Sequence, residues 1–147
     1  MSKNSKARRN KLGLIGWLGG GRYGFERYAY TLHRITGLAL LVYFIMHIFV
    51  TGARIGGSEA WQTTMERYET PFFKLGEFLV FLAFAFHALN GVRLGLAELG
   101  VALGKPQRPV YPYRVSIHRQ RPLFIAVMIV AALIMILGGA DFYLLGH

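Results

Sequence analysis

The chain has 147 residues, of which 54% are hydrophobic and only 16% are charged. Soluble domains average about 25% charged residues, so this composition excludes an ordinary soluble enzyme and a largely disordered chain. The 17 Lys and Arg outnumber the 7 Asp and Glu, and in so apolar a chain this predicts contact with anionic lipid, not with nucleic acid. The chain has no cysteine, which excludes disulfides, thiolate metal ligands and iron–sulfur ligation by this protein.

Three stretches are long and apolar enough to predict membrane spans. A transmembrane helix needs about 20 mostly apolar residues, and three uncharged runs, extended into their flanks, reach that length. We therefore predict an all-α membrane protein with three transmembrane helices, at about residues 29–53, 73–99 and 120–144. Residues 1–28 are predicted to form a basic cytoplasmic and interfacial segment, and residues 29–147 the three-helix anchor domain.

The distribution of positive charge predicts the orientation, because Lys and Arg concentrate on the cytoplasmic side of membrane proteins. Eight basic residues precede the first uncharged run, and five more lie in the loop at residues 105–121. The loop between the first two spans carries two Arg against three Glu. The N-terminus and the 105–121 loop are therefore predicted to be cytoplasmic and the C-terminus to lie outside. Three prolines predict an extended 105–114 segment.

Two histidines lie on one face of the first predicted helix. His47 follows His33 by 14 residues, or roughly 21 Å along a helix. Residues spaced by three and four along this face are His33, Gly37, Leu40, Phe44, His47 and Thr51. Residues at this spacing are neighbours on a helix surface, so both histidines are predicted to look toward the same partner.

The second predicted span contains His87 in a stripe of small residues. Ala83, His87, Gly91 and Gly95 recur every four residues. Such a stripe allows close packing against another helix, in which a histidine only bonds its neighbour. It also leaves room for a flat macrocycle whose iron is bound by the imidazole, since neutral histidine is a common axial ligand of haem. An ionisable residue inside a membrane favours a functional role, and the sequence leaves both interpretations open.

Two arginines are predicted to lie where the propionates of such a haem would reach the interface. Arg93 is six residues from His87 toward the inner side, and Arg34 lies at a comparable depth on the first span. His118, in the basic loop, and the C-terminal His147 are predicted to be solvated or near the lipid headgroups and not to be ligands.

The residues around these histidines resemble two motifs of one family. Leu-His-Arg-Ile-Thr-Gly at Leu32–Gly37 resembles the Leu-His-Arg-x-Ser/Thr-Gly motif of the cytochrome b556 subunit of succinate dehydrogenase. The stretch from His87 to Arg93 resembles that family's His-x-x-x-Gly-x-Arg pattern, and the resemblance continues to the acidic Glu98. The similarity covers about residues 27–145.

The resemblance implies a fold, cofactors and partners. Members of this family are membrane anchors of complex II that form a bundle with a second anchor subunit. Together they bind haem b and quinone, and they dock an iron–sulfur subunit and a flavoprotein subunit. The family's haem ligand falls on His87, and the arginine of its quinone site, which also approaches a propionate, falls on Arg34. The chain would do no bond chemistry itself, and we expect a multi-pass protein of a prokaryotic inner or plasma membrane.

Departures from the family pattern affect the quinone site and the number of haems. Tyr30 stands where familiar members have a serine of the quinone site, and Thr31 beside it offers a second hydroxyl. Leu94 replaces a histidine that often follows the second motif. His47 falls in the outer half of the first span, where two-haem relatives place a ligand.

Depth favours a two-haem arrangement. By the predicted span boundaries, His47 and His87 differ in depth by about 9 Å, which fits two stacked haems better than two ligands of one iron. The axial partner of His87 is expected from another subunit, since no other histidine is predicted at its depth. The residues assigned to haem are His33, Arg34, His47, His87 and Arg93, with His87 and His47 as the iron ligands.

Three functional interpretations remain open. In the first, the chain is the anchor of a succinate:quinone oxidoreductase. In the second, it is the anchor of a quinol:fumarate reductase, and in the third it is a haem-free structural membrane subunit. The sequence does not distinguish menaquinone from ubiquinone, nor one haem from two.

Overall fold

A computed structural model describes residues 24–105, 108–111 and 116–145. Helix α1 is Phe25–Gly52, and a 3₁₀ turn, Ala53–Gly56, joins it to helix α2, Gly57–Tyr68. Helix α3 is Pro71–Glu98, and helix α4 is Ser116–Ala140, extended by a π-helical turn at Asp141–Leu145. Helices α1, α3 and α4 are long and apolar enough to cross a membrane. The prediction of an all-α protein with three transmembrane helices is therefore confirmed.

Helix α3 occupies the middle of the bundle, because it packs against both α1 and α4. Its N-terminus has Pro71 at the first position after an extended Thr70, where the missing N–H costs nothing. At its C-terminus, Gly100 has a positive φ of 87°, and Val101 N–H donates to the Leu96 carbonyl at 2.9 Å. This is a Schellman ending that reverses the chain.

The end of the bundle that holds the start of α1, the end of α3 and the start of α4 is called the inner end below, after the predicted orientation. There Arg121 Nε of α4 donates to Glu26 Oε1 of α1 at 2.8 Å. The guanidinium of Arg119 packs against Gly104 in the α3–α4 connection. These two contacts bring the ends of all three spanning helices together.

The burial pattern is that of a bundle in lipid. Four of the nine buried residues in the described part are polar or charged, namely Thr31, Thr36, Asn90 and Arg93, and three of the remaining five are alanines. Large apolar side chains such as Phe49, Leu38 and Ile136 point outward. Small and polar residues hold transmembrane helices together because lipid gives no hydrophobic drive for their association.

Several element boundaries differ from the sequence-based ones. Helix α1 begins at Phe25 and α4 at Ser116, each four residues before the predicted span, because polar inner turns stay helical beyond the apolar run. The amphipathic helix α2 was not predicted at all. Its half-buried residues recur at helical spacing, at Trp61, Met65 and Tyr68, and the Arg54 guanidinium lies 4.3 Å from the Trp61 ring centroid.

The N-terminal prediction falls mostly on residues 1–23, which lie outside the described residues. Residues 108–110 have no regular secondary structure and are therefore not helical, as predicted, while the extended conformation of the 105–114 segment stays a prediction. The cytoplasmic position of the N-terminus and the pairing with a second anchor subunit stay predictions.

Candidate functional site

The crossing of α1 and α3 brings His33 and His87 face to face. Their ring centroids are 3.9 Å apart and their planes differ by 3°. His87 therefore lies level with His33, and the expectation that no other histidine shares its depth was wrong. The depths of the histidines had been estimated from the predicted ends of each span, and such an estimate takes no account of the point at which the two helices cross. Because His47 follows His33 by 14 residues, it lies roughly 21 Å along α1 from the stack, instead of about 9 Å.

Each histidine of the stack packs over a glycine of the opposite helix. A Cβ on Gly37 of α1 would lie 2.7 Å from Cε1 of His87, and a Cβ on Gly91 of α3 would lie 3.5 Å from Cε1 of His33. Both helices thus use the same spacing, a histidine followed four residues later by glycine. At Gly91 the helices approach as closely as the stripe of small residues allows, while a Cβ on Gly95 would meet nothing within 4 Å.

Hydrogen bonds on one nitrogen determine the tautomer of His87. Its Nδ1 lies 3.0 Å from the His33 carbonyl oxygen and 3.3 Å from Thr36 Oγ1. A carbonyl oxygen only accepts, so Nδ1 carries the proton and donates. In neutral His87 the lone pair then belongs to Nε2, which is the state that a metal-ligating imidazole needs.

Arg93 is buried between α3 and α4, with 6% of its surface exposed. Its Nε donates to Asn90 Oδ1 at 2.9 Å, and its guanidinium carbon lies 5.2 Å from the Phe124 ring centroid of α4. Asn90 is fully buried, and both its Nδ2 and Nδ1 of His33 are buried without a hydrogen-bond partner among the described residues. Within that part of the chain the ion pair is Arg121–Glu26, so no described carboxylate pairs with Arg93.

Tyr30 and Arg34 form a pair on the exposed face of α1 near the inner end. Arg34 Nη1 donates to Tyr30 Oη at 3.3 Å, and the guanidinium lies 5.6 Å from the Tyr30 ring centroid. Tyr30 is 51% exposed. Thr31, the other hydroxyl predicted for the quinone, is buried in the bundle instead, since one residue along a helix turns the side chain by about 100°. The structure therefore brings Arg34 together with Tyr30 on this exposed face.

His47 lies apart from the His33–His87 stack. Its Nδ1 is 3.3 Å from Tyr43 Oη, one turn earlier on α1, and both it and Phe44 are exposed. Among the described residues of the α1 face predicted to meet one partner, His33, Gly37 and Leu40 are buried or half-buried, whereas Phe44 and His47 are exposed. The described contact of His47 is with Tyr43 of its own helix.

The remaining histidines add nothing to the site. His118 is exposed in the first turn of α4, not in a loop, and His147 lies outside the described residues. Among residues 24–105, 108–111 and 116–145, no group of three or more His, Asp or Glu side chains gathers as a metal cluster would. Haem iron does not require one, because the macrocycle supplies four ligands and the protein only the axial positions.

Comparison with known proteins identifies the family. The family model described as succinate dehydrogenase/fumarate reductase transmembrane subunit matches residues 17–137. The chain belongs to this family. It is a membrane anchor subunit, in agreement with the resemblance seen in the sequence motifs.

Relatives in two archaea carry the name succinate dehydrogenase hydrophobic membrane anchor subunit. The chain is 31% identical over 85 residues to that of Halobacterium salinarum, covering 57% of this chain and 65% of the relative. It is 31% identical over 80 residues to that of Archaeoglobus fulgidus, covering 54% and 68%. The succinate dehydrogenase 2 membrane subunit SdhC of Mycobacterium tuberculosis is 27% identical over 71 residues, covering 48% and 52%. No solved structure gives a significant match.

Three side chains of the site were not predicted from the sequence: Thr36, Asn90 and Tyr43. The spacing of the sequence does distinguish the first two. His33 and His87 are each followed by a polar residue at the third position and glycine at the fourth, which places a hydrogen-bonding group beside each glycine contact. Tyr43 precedes His47 by one helical turn, the spacing at which helix side chains meet.

Proposed function

We propose that this chain is a haem- and quinone-binding anchor of a succinate:quinone oxidoreductase, with His87 as an axial ligand of a haem b. The observation that carries the proposal is the hydrogen bond from His87 Nδ1 to the His33 carbonyl. It leaves Nε2 as the free lone pair, and ligating histidines in proteins almost always donate their other N–H in this way.

The donor set around His87 fits a haem. Arg93, which forms no ion pair with a described carboxylate, would hold a propionate through its terminal guanidinium nitrogens. When bound, the haem supplies one-electron redox chemistry between iron–sulfur clusters and quinone. His33 would not supply a second ligand of the same iron, because its ring is stacked on that of His87 with 3.9 Å between the centroids, which leaves no space between them for a metal ion. That ligand is proposed to come from a second anchor subunit.

Arg34 and Tyr30 are proposed to bind the quinone head. Arg34 presents cationic N–H donors, and Tyr30 presents a hydroxyl within hydrogen-bond reach of them. Together they would hold and polarise one quinone carbonyl, and the Tyr30 hydroxyl would donate a proton to it. Their position near the inner end would allow electron transfer to the quinone from soluble subunits docked on that side. Thr31, facing the bundle interior, is left out of this proposal.

A second haem is proposed at His47. The distance of roughly 21 Å along α1 from the His33–His87 stack excludes His47 from the iron of His87. His47 Nδ1 also lies 3.3 Å from a hydroxyl, that of Tyr43, which can either accept from it or donate to it. Its exposed position on α1 then faces the same second anchor subunit.

The assembly proposed around this chain has a second anchor subunit, an iron–sulfur subunit and a flavoprotein, in the plasma or inner membrane of a prokaryote. The matched stretches span between 52% and 68% of the length of the curated relatives, so activity and partners rest on the site as well as on the family. A quinol:fumarate reductase would use the same parts in reverse, and cofactor potentials decide between the two directions.

A reduced-minus-oxidised absorption spectrum of the purified complex tests the proposal. The wild-type complex is expected to show the bands of a low-spin haem b, and His87→Ala is expected to lose those of one haem while the subunits remain assembled. A complex without haem bands would identify a purely structural subunit, and unchanged bands in His87→Ala would remove this residue as a ligand.

A further inference from the structure

Three residues within one turn of α1, His33, Thr36 and Gly37, contact His87 on several sides. The His33 carbonyl and Thr36 Oγ1 both face Nδ1, at 3.0 and 3.3 Å. The His33 ring covers one face of the imidazole at 3.9 Å between centroids. The backbone of Gly37 passes so close to Cε1 that no Cβ fits there without a shift. Rotation of the His87 ring is therefore opposed on three sides by one turn of α1.

Thr36 acts as a hydrogen-bond acceptor toward His87. Its hydroxyl is buried and donates within its own helix, to the Leu32 carbonyl at 2.8 Å and the His33 carbonyl at 3.1 Å. A hydroxyl has one proton and two lone pairs. With the proton committed to α1, the oxygen presents lone pairs to the N–H of His87. The imidazole N–H thus meets two acceptors and no donor.

We infer that Thr36 is a positioning residue for the haem ligand, which together with the His33 carbonyl holds His87 in the Nδ1–H tautomer with Nε2 directed to iron. This inference rests on the proposed function, because it assigns Thr36 a role only if His87 binds haem. Two acceptors on Nδ1–H make the imidazole a more basic ligand, and outer partners of this kind raise ligand basicity at metal sites generally. A more basic ligand stabilises ferric over ferrous haem and lowers the reduction potential.

Thr36→Val tests this role, because it keeps the branched shape and removes the hydroxyl. Thr36→Ala removes the hydroxyl with less bulk, and Thr36→Ser keeps it. Thr64→Val is the matched control: Thr64 Oγ1 makes the same kind of bond within its helix, to the Ala60 carbonyl at 2.7 Å, but contacts no histidine in the described hydrogen bonds. All four variants are purified as the complete complex, and haem content and midpoint potential are measured.

Thr36→Val and Thr36→Ala are expected to shift the haem reduction equilibrium toward the ferrous state by up to about tenfold, which is about 59 mV for a one-electron couple. Thr36→Ser and Thr64→Val are expected to keep the wild-type potential. Equal potentials in wild type, Thr36→Val and Thr36→Ala would overturn the inference, as would an equal shift in Thr64→Val. The variant His87→Ala separates a failure of this inference from a failure of the proposed function. If His87→Ala retains all of its haem, the ligand assignment fails. If it loses a haem while the Thr36 variants keep the wild-type midpoint potential, only the role of Thr36 fails.

Discussion

Replacing Gly37 with alanine should loosen the α1–α3 crossing, whereas the same change at Gly91 should be tolerated. The two glycines occupy equivalent positions, each four residues after a histidine of the stack. They differ in the room available: a Cβ would meet Cε1 of the facing histidine at 2.7 Å for Gly37 and at 3.5 Å for Gly91. The second distance is ordinary van der Waals contact, and the first requires a shift.

The size of that shift predicts the effect. His87 would have to retreat by about 0.7 Å to reach the 3.4 Å at which ordinary contact begins. A retreat of that size along its 3.0 Å bond to the His33 carbonyl would lengthen the bond to about 3.7 Å, beyond hydrogen-bond distance. Overpacking costs about 1–3 kcal/mol, against up to about 1 kcal/mol gained when alanine replaces glycine inside a helix. The expected result is a net loss of up to about 2 kcal/mol at Gly37 and a small gain at Gly91.

Thermal unfolding of the purified complex, followed through the haem absorption band, measures this difference. Gly76→Ala is the control, because Gly76 lies inside α3 with open space where its Cβ would be. The predicted order of Tm has Gly37→Ala below wild type, and Gly91→Ala and Gly76→Ala at or above it. Equal Tm values for Gly37→Ala and Gly91→Ala would refute the account of the crossing.

Three further predictions concern the arginines and His47. Arg34→Ala should depress quinone reduction by the complex while sparing succinate oxidation measured with an artificial acceptor at the soluble subunits; unchanged quinone reduction would make Arg34 an interfacial anchor only. Arg93→Met should lower the Tm of the complex, because removing the hydrogen-bond partner of the fully buried Asn90 amide costs about 1–3 kcal/mol. The control Glu26→Gln, at the half-exposed pair with Arg121, should cost less than about 1 kcal/mol. A larger loss of Tm in Glu26→Gln than in Arg93→Met would contradict the burial of the Asn90–Arg93 pair. His47→Ala should remove one haem of two per complex, and a haem content that survives this change would exclude His47 as a ligand.

Much of the fold was predictable because the membrane imposes simple rules. Three uncharged runs of sufficient length predicted three helices, and helical spacing placed His33, Gly37 and Leu40 on the face that packs against α3. Helix α2 was missed because its signal is amphipathic spacing at Trp61 and Tyr68 and not an apolar run. The inner ends of α1 and α4 were set too short because arginines such as Arg27 and Arg119 lie within helices whose polar turns extend past the apolar core.

The site was less predictable, since it depends on where two helices cross. Sequence spacing gave the position of His33 and His87 along their own helices but not the register between them, so their stacking and equal depth were not foreseen. The register is set by close contact at Gly37, which only the packed structure reveals. The same crossing determines that the His33 carbonyl and Thr36 meet His87 Nδ1, and hence which ring nitrogen is free.

Haem content per complex in His87→Ala and His33→Ala tests the central claim most directly, since the two rings lie in contact at one depth and only His87 is proposed to bind iron. The account predicts that His87→Ala loses one haem, whereas His33→Ala, which keeps the backbone carbonyl that receives the Nδ1–H of His87, retains the wild-type number. Loss of haem in His33→Ala with full retention in His87→Ala would contradict the assignment and make His33 the ligand.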